Sequence, residues 1–243
     1  MKKRVKGLWR DVYPPMWIVT ETAERTNFGY ATHQAIRLLS IHDGFTRQKR
    51  GRPPDDLEAL KRAALILTVT AWESFVEGTV LRELRQRLQE ATSPLDVQST
   101  FNAVAHQWLV PQESKKPKPP DLAKWAGDGW KKLITTSLAN DLDRFNTPGS
   151  ANVRELFKRY LGLDVTRHWS WQRTSADLAC SQLDKLIRER GAAVHRARTI
   201  HSSTPAEPGV KRAAVVHALN LTYNLVDRTE HALGVEPSCR KPQ

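Results

Sequence analysis

The residues with the clearest chemical potential lie close together in the C-terminal part of the chain. Arg190 and His195 are separated by four residues, and Arg188 stands two positions before the first of them. An imidazole transfers protons near neutral pH, because its ordinary pKa is about 6.5. A guanidinium keeps its charge and binds phosphate oxygens through paired hydrogen bonds. Together these two groups are what a protein needs to cleave RNA without a metal ion.

Helix geometry constrains this interpretation. The stretch from Leu183 to Arg190 has amphipathic spacing, but positions five apart on an ideal helix differ by about 140° around its axis. Gly191 follows Arg190 directly, and it predicts a helix cap or a bend that turns both side chains toward one site. The alternative is a helix that ends at this glycine and leaves His195 as an ordinary surface residue, which spacing alone favours. Arg188 also has a suitable spacing to His195, so the motif arginine is open at this point.

A long apolar helix is predicted over residues 57–90, and it is expected to be central to the fold. Its apolar positions form one nearly continuous stripe: Leu65, Val69, Trp72, Val76, Val80, Leu84 and Leu88. Glu73 stands directly beside this stripe, where a carboxylate is costly to bury without a partner. We therefore expect Glu73 to accept hydrogen bonds from an arginine or histidine of another helix. The alternative is an edge position from which the carboxylate reaches water.

The rest of the chain also has helical spacing, and no convincing alternating strand is present. This pattern predicts an all-α fold, a helical bundle with extra helices and basic loops. Residues 1–15 are predicted to be a basic arm that ends in two prolines. Residues 16–234 are predicted to form a single helical domain, and residues 235–243 a flexible C-terminal tail.

Local signals predict several helix boundaries. A helix over residues 16–42 is followed by a loop over residues 43–54 that contains glycine and proline. Asn152 and Glu155 form a predicted capping pair at the start of a later helix. Thr174 is predicted to begin the helix that carries the arginine–histidine motif.

The charge balance predicts a polyanionic partner. The chain has 38 Lys and Arg against 26 Asp and Glu, a formal net charge of +12. Nucleic acid is the first expectation, with an acidic membrane surface or an acidic protein behind it. Basic residues in the 43–54 loop and just after the motif are the candidate RNA contacts: Arg47, Lys49, Arg50, Arg52, Arg196 and Arg198. The alternative, a solvated connector, is equally compatible with the charged loop.

Several classes of protein are disfavoured by composition. Cys180 and Cys239 are too few for a disulfide framework or a metal cluster, and the histidines lack metal-ligand spacing, so we expect no metal and no cofactor. The eight tryptophans have helical spacing and are interpreted as core or interface residues. No signal-peptide core and no bilayer-spanning apolar run is present in the sequence. A soluble cytoplasmic protein without a membrane partner is therefore expected.

Three segments together resemble one protein family. They are Leu-Ile-Leu-Thr-Val-Thr-Ala-Trp-Glu-Ser-Phe-Val-Glu at 65–77, Asn-Val-Arg-Glu-Leu-Phe with Leu-Gly-Leu at 152–163, and Arg-Glu-Arg-Gly-Ala-Ala-Val-His at 188–195. Their order and spacing resemble the HEPN superfamily, and within it the branch called RiboL-PSP HEPN. The likeness covers most of residues 20–233.

This resemblance implies a helical domain that pairs as a homodimer, and a metal-independent endoribonuclease that often serves as a toxin or in defence against phage. Arg190 and His195 would be the catalytic pair, because the shorter spacing is common in the family and Arg188 reads as helix interior. Glu73 would be a supporting carboxylate near the motif.

Gly191 departs from the family pattern, in which a polar residue, most often Asn, follows the arginine. The departure keeps open a catalytically inactive module that binds RNA, a nucleotide or a protein. A toxin controlled by a partner antitoxin is a third possibility.

Overall fold

The structure is a computed structural model that describes residues 22–46, 57–109, 122–196 and 209–235. These residues form seven α-helices: α1 Ala23–Thr46, α2 Glu58–Glu90, α3 Gln98–Leu109, α4 Gly129–Leu142, α5 Ser150–Leu161, α6 Ala176–Arg196 and α7 Arg212–Ala232. Three short 3₁₀ helices lie between them: Pro94–Val97, Leu122–Trp125 and Val165–His168. Within the described residues the β-structure is limited to an isolated bridge between Trp171 and Thr174. The prediction of an all-α fold is confirmed.

Three helix boundaries differ from the predicted ones. Helix α1 continues to Thr46, four residues into the predicted loop, because Asp43 is buried and its carboxylate is held by Arg212. Helix α5 begins at Ser150 rather than at a cap formed by Asn152, whose side-chain amide instead donates to the carbonyl oxygen of Thr147. Helix α6 begins one residue after Ser175, whose hydroxyl accepts a hydrogen bond from the backbone N–H of Leu178.

The chain divides into two compact units. Unit 1 comprises Met1–Phe75 and Thr166–Gln243, and unit 2 comprises Val76–Val165. Helix α2 contributes its first half to unit 1 and its second half to unit 2. All the residues of the arginine–histidine motif, together with Glu73, belong to unit 1.

In unit 1, helices α1 and α7 run antiparallel, as three side-chain contacts show. Arg25 contacts Glu230 at 2.7 Å, the hydroxyl of Thr32 contacts that of Tyr223 at 2.9 Å, and Arg212 reaches Asp43 at 3.0 Å. The partner number on α7 falls as the number on α1 rises, which only an antiparallel pair produces. The Arg25 pair is buried and joins the start of α1 to the end of α7.

Helix α2 supplies the apolar core that its sequence predicts. All seven residues of its apolar stripe are buried, and Trp72 is fully enclosed. In unit 1 the Trp72 ring stacks on Phe75 at 5.9 Å and meets Trp169 edge-on at 5.8 Å. Among the described helices, α2 is long and apolar enough to cross a membrane, but 56% of that apolar window is buried inside the fold. Such burial is typical of a core helix.

Unit 2 is organised around Tyr160 at the end of α5. Its hydroxyl lies 2.9 Å from that of Ser137 and donates to the carboxylate of Asp141 at 2.7 Å. Arg159 pairs with the same carboxylate at 2.8 Å. Burial raises the pKa of the Tyr160 hydroxyl well above its ordinary value, so the hydroxyl stays protonated and keeps donating. These bonds fix α5 against α4.

Candidate active site

Helix α6 carries the arginine–histidine motif without a break. The helix runs from Ala176 to Arg196, and Gly191 lies inside it with an ordinary helical backbone. The predicted cap or bend at Gly191 is therefore wrong. A glycine inside a helix costs only about 0.5–1 kcal/mol relative to alanine. The neighbouring Ala192 and Ala193 are strong helix formers, and Ala193 is buried, so packing holds the helix together across the glycine.

An unbroken helix sets where the motif positions lie around its axis. Position 195 is about 140° from Arg190, so these two positions occupy different faces of α6. Arg188 is seven positions before His195 and lies within about 20° of it on the same face. The Arg188 side chain is exposed. The backbone of His195 lies in the last turn of α6, and its side chain is outside the described part of the chain.

Arg190 contacts the carboxylate on α2 that the sequence singles out. Its Nη2 atom lies 3.9 Å from the Oε2 atom of Glu73. The two side chains are 30% and 16% exposed, so the pair is partly shielded from water. This distance is that of a charge pair and is too long for a hydrogen bond. Glu73 is thus paired with an arginine of another helix, as expected, but through charge alone.

The guanidinium of Arg190 keeps donors that no described residue satisfies. Its Nε atom is buried and has no hydrogen-bond acceptor. An unpaired donor in such a place is costly, because burial removes the water that would otherwise accept from it. The side chain as a whole is nevertheless 30% exposed, so it is not closed off from solvent. The arrangement leaves Arg190 able to bind phosphate oxygens.

Glu73 is in an environment that opposes its charge. Burial raises the pKa of the Glu73 carboxyl above its ordinary value of 4.5, and the positive charge of Arg190 offsets part of that effect. The ionised form of the Glu73 carboxyl is therefore stabilised by the charge of Arg190, and Arg190 has Glu73 as its charge partner. The carboxylate can hold the guanidinium in place without satisfying its hydrogen-bond donors.

Most of the predicted RNA contacts cannot be placed. Arg47, Lys49, Arg50, Arg52 and Arg198 lie outside the described residues. Arg196 is the last residue of α6, and only its backbone is described. The contact of these six residues with RNA stays a prediction. Of the predicted site residues, the structure brings together Arg190 and Glu73, and it places Arg188 and Gly191 on the face of position 195.

Two features of unit 1 were missed by the sequence analysis. Arg62, on the first half of α2, is partly buried, and its Nε atom has no acceptor within the described part of the chain. His42 is buried beside Asp43, with 3.4 Å between Nδ1 and Oδ1, and its Nε2 atom has no hydrogen-bond partner among the described residues. Arg62 could have been noticed from its spacing, because it stands eleven residues before Glu73 and so falls on the same face of α2. The burial of His42 could also have been noticed, because it stands three residues after Leu39 and seven after Ala35, on the buried face of α1.

The described residues offer no group of three histidine, cysteine, aspartate or glutamate side chains that could hold a metal ion.

Fold and site together define an all-α protein in which a helix with an arginine–histidine motif contacts a carboxylate on a long core helix. The chain matches the RiboL-PSP-HEPN family model over residues 32–228, and it belongs to that family. The matched region includes Glu73, Arg190 and His195. HEPN domains include ribonucleases. Neither the curated proteins nor the solved structures gave a significant match to the chain.

Proposed function

We propose that this protein is a metal-independent endoribonuclease of the HEPN type that acts as a homodimer. The observation that carries the proposal is the contact of Arg190 with Glu73 inside the region matched by the family model. That contact holds a guanidinium with an unpaired N–H on the helix that also contains His195. The net charge of +12 supports a polyanionic substrate.

The proposed reaction uses the ribose itself as the nucleophile. The 2′-oxygen attacks the adjacent phosphorus, and the bond from that phosphorus to the 5′-oxygen of the next nucleotide breaks. His195 accepts the proton of the 2′-hydroxyl or donates one to the leaving 5′-oxygen, a role typically worth about 10²–10⁴ in rate. Arg190 stabilises the negative charge that builds up on the phosphoryl oxygens. The products are a 2′,3′-cyclic phosphate and a 5′-hydroxyl, so RNA is a substrate and DNA is not.

The unbroken helix favours a catalytic pair that is completed by a second protomer. Arg190 is held toward Glu73 on α2, whereas position 195 lies about 140° away around α6. In a two-fold dimer, Arg190 of one protomer can instead meet the second copy's histidine across the interface, and the reverse pair forms by symmetry. The competing arrangement within one protomer would use Arg188, which shares the face of position 195.

The proposed cellular role is that of a cytoplasmic toxin or phage-defence effector. A ribonuclease without a cofactor requirement is active as soon as it folds, so its host needs a means of restraint. A partner antitoxin or another defence-system protein would supply that restraint. Toxicity on expression that His195→Ala relieves is the expected observation.

The test is incubation of the purified protein with end-labelled RNA in the presence of a metal chelator. We expect cleavage that leaves 2′,3′-cyclic phosphate ends, and we expect His195→Ala to abolish it. His217→Ala is the matched control, because His217 is exposed on α7 and has no role in the proposal. Cleavage that needs added magnesium, or that persists in His195→Ala, would refute the assignment.

A second candidate is a catalytically inactive module that binds RNA. Two features favour it: Gly191 stands where the family pattern usually has a polar residue, and positions 190 and 195 lie on different faces of α6. Under this alternative the chelator assay shows no products, while RNA binding weakens steeply with salt. The two candidates therefore give opposite results in one cleavage experiment.

A further inference from the structure

The outer face of α1 carries three of the five large apolar side chains that are exposed among the described residues. Tyr30 is 70% exposed, Ile41 48% and Phe45 61%. The other exposed positions of the helix carry small or uncharged polar side chains, except for Arg37. On α5, by comparison, charged residues occupy three of the five exposed positions. The outer face of α1 therefore has the composition of an interface rather than that of a solvated helix face.

The exposed positions of α1 also have the spacing of a helix–helix contact. Six of them follow one another in alternating steps of three and four residues: Asn27, Tyr30, Gln34, Arg37, Ile41 and Gly44. We call these six positions the α1 seam. Such a 3.5-residue repeat is the one by which a helix packs along another helix. Because the seam is exposed in the folded chain, its partner is not one of the described helices of the same chain.

The α1 seam is complementary to itself. From either end it presents a small or polar residue, then a large apolar residue, then a long polar residue. A second copy laid antiparallel, with the two-fold axis midway between Gln34 and Arg37, therefore sets Tyr30 opposite Ile41 and Gln34 opposite Arg37. Side chains on a helix point toward its N-terminus, so Tyr30 would enter between Ile41 and Phe45 of the second copy. A parallel pair would instead set the two Arg37 charges opposite each other.

The apolar area of this face is large enough for a stable pair. Aromatic side chains each bring about 150–250 Å² of surface, so the exposed parts of Tyr30, Ile41 and Phe45 amount to roughly 300–400 Å² per copy. A stable interface buries about 800 Å² per partner. These three side chains thus provide up to about half of the area, and the polar positions along a helix of about 36 Å provide a rim.

The α1 seam faces away from the helix that carries the arginine–histidine motif. Glu73 and Phe75 are two residues apart on α2, so their side chains point about 160° apart around it. Glu73 contacts Arg190 of α6, whereas the ring of Phe75 lies 6.2 Å from that of Phe28 on α1. Helices α6 and α1 are therefore on opposite sides of α2 in unit 1. Tyr30 is in turn about 160° from Phe28 around α1, so the seam points outward.

We propose that the α1 seam binds the same seam of a second copy of this chain, antiparallel about a two-fold axis. This interface is separate from the homodimer of the proposed function, in which the motifs of two protomers meet, and it does not depend on it. Where both interfaces form, each copy contacts two others. The smallest closed assembly with two such interfaces is a tetramer.

The first experiment measures the mass of the full-length protein by sedimentation equilibrium, after nuclease treatment that removes bound nucleic acid. Ile41→Glu sets a carboxylate opposite Tyr30 of the second copy, and a two-fold pair contains this substitution twice. We expect the dissociation constant of the interface to rise at least about a hundredfold, and the mass of the assembly to be halved. Leu95→Glu is the matched control, because Leu95 is also an exposed apolar residue, and it should leave the mass unchanged.

Disulfide formation tests the register and leaves the apolar side chains in place. In the proposed pair position 27 lies opposite position 44 of the second copy, whereas two copies of either position are about 26 Å apart along the helix axes. Asn27→Cys and Gly44→Cys, each in a Cys180→Ala, Cys239→Ala background, should therefore form an intermolecular disulfide only when the two variants are mixed. Both positions are exposed, and a Cβ at Gly44 meets no atom within 4 Å. Equal disulfide formation by the separate variants would indicate parallel or random contact and overturn the proposal.

Salt separates direct pairing from bridging by nucleic acid. Each copy has a formal net charge of +12, so two copies repel each other, and added salt screens that repulsion. Pairing through an apolar seam should therefore tighten between about 0.1 and 0.5 M salt. Copies held together by shared RNA would separate over the same range, and that result would overturn the proposal.

Cleavage assays separate this interface from the proposed function. Because the α1 seam lies across α2 from Arg190, Ile41→Glu should cleave RNA with an unchanged kcat. If no RNA is cleaved but the mass and disulfide results are as expected, the seam stands and the endonuclease does not. If RNA is cleaved, Ile41→Glu keeps its mass and no mixed disulfide forms, the endonuclease stands and another segment or protein covers the seam. A halved mass together with lost cleavage would overturn the separation of the two interfaces.

Discussion

Two inactive variants should restore activity when they are combined in one dimer. The substitutions are Arg190→Ala and His195→Ala, each expected to be inactive alone. Because α6 is unbroken, Arg190 stays with Glu73 and lies about 140° from position 195 of its own chain. A pair made within one protomer is therefore disfavoured. A heterodimer of the two variants retains one arginine and one histidine on opposite protomers, which is one complete site of the proposed kind.

The expected magnitudes follow from the roles of the two groups. Loss of a charge-stabilising donor costs about 10²–10³ in kcat, or roughly 2.7–4 kcal/mol. Loss of the general acid–base costs about 10²–10⁴. The heterodimer has one intact site of two, so its specific activity should be about half that of the unsubstituted dimer. Recovery from less than about one per cent to about half is far outside the error of a rate measurement.

The assay uses coexpression of the two variants with different affinity tags, followed by sequential purification of the heterodimer. Initial rates are measured on end-labelled RNA in chelator. A heterodimer of His195→Ala with His195→Gln is the matched control, because it contains both arginines and no motif imidazole. That control should stay inactive.

An inactive Arg190→Ala and His195→Ala heterodimer, made from variants that are folded and dimeric, would refute a site shared between protomers. If Arg190→Ala retains activity and Arg188→Ala abolishes it, the pair forms within one protomer. Arg188 would then be the motif arginine.

Three further predictions concern stability. Arg25→Met should lower the free energy of unfolding by about 3–5 kcal/mol, because it leaves the buried Glu230 carboxylate without its main partner. Adding Glu230→Gln should recover part of that loss, and urea titrations measure both changes. Since burial raises the pKa of Glu73 above its ordinary value of 4.5, its contribution to stability is full below that value and is lost as pH rises through the raised pKa. Glu73→Gln should therefore flatten the decline in the free energy of unfolding above pH 4.5. Gly191→Ala should raise the free energy of unfolding by about 0.5–1 kcal/mol, because a Cβ there meets no atom within 4 Å; destabilisation would contradict a continuous α6.

The core of α2 could be predicted because burial leaves a periodic trace in the sequence. Leu65, Trp72 and Leu84 recur at helical spacing, and each is almost completely buried. The pairing of Glu73 was predictable for the same reason: a carboxylate beside a buried stripe needs a counter-charge. The identity of that partner was not, since it depends on how α6 lies in unit 1.

The course of the chain at Gly191 could not be read from the sequence. A glycine after an arginine fits both a helix end and a helix interior, and the two differ by about 1 kcal/mol in local preference. Burial of Ala193 one turn from Arg190 decides between them, and that burial is a property of the folded chain. Local spacing therefore predicted that Glu73 pairs with an arginine of another helix, but it predicted the wrong backbone at Gly191.

The arginines of unit 1 separate into two sets that the sequence does not distinguish. Arg25 and Arg212 are compensated by hydrogen-bonded carboxylates and tie α1 to α7, so they stabilise the fold. Arg190 has a charge partner but a buried Nε atom without an acceptor, and the buried Nε atom of Arg62 also has no acceptor among the described residues. All four lie on helices beside apolar residues, so composition and spacing give them the same description. Because hydrogen-bonded charges stabilise a fold and unsatisfied buried donors destabilise it, the same residue type acts in opposite directions in the two sets, and the contacts of the folded chain decide which.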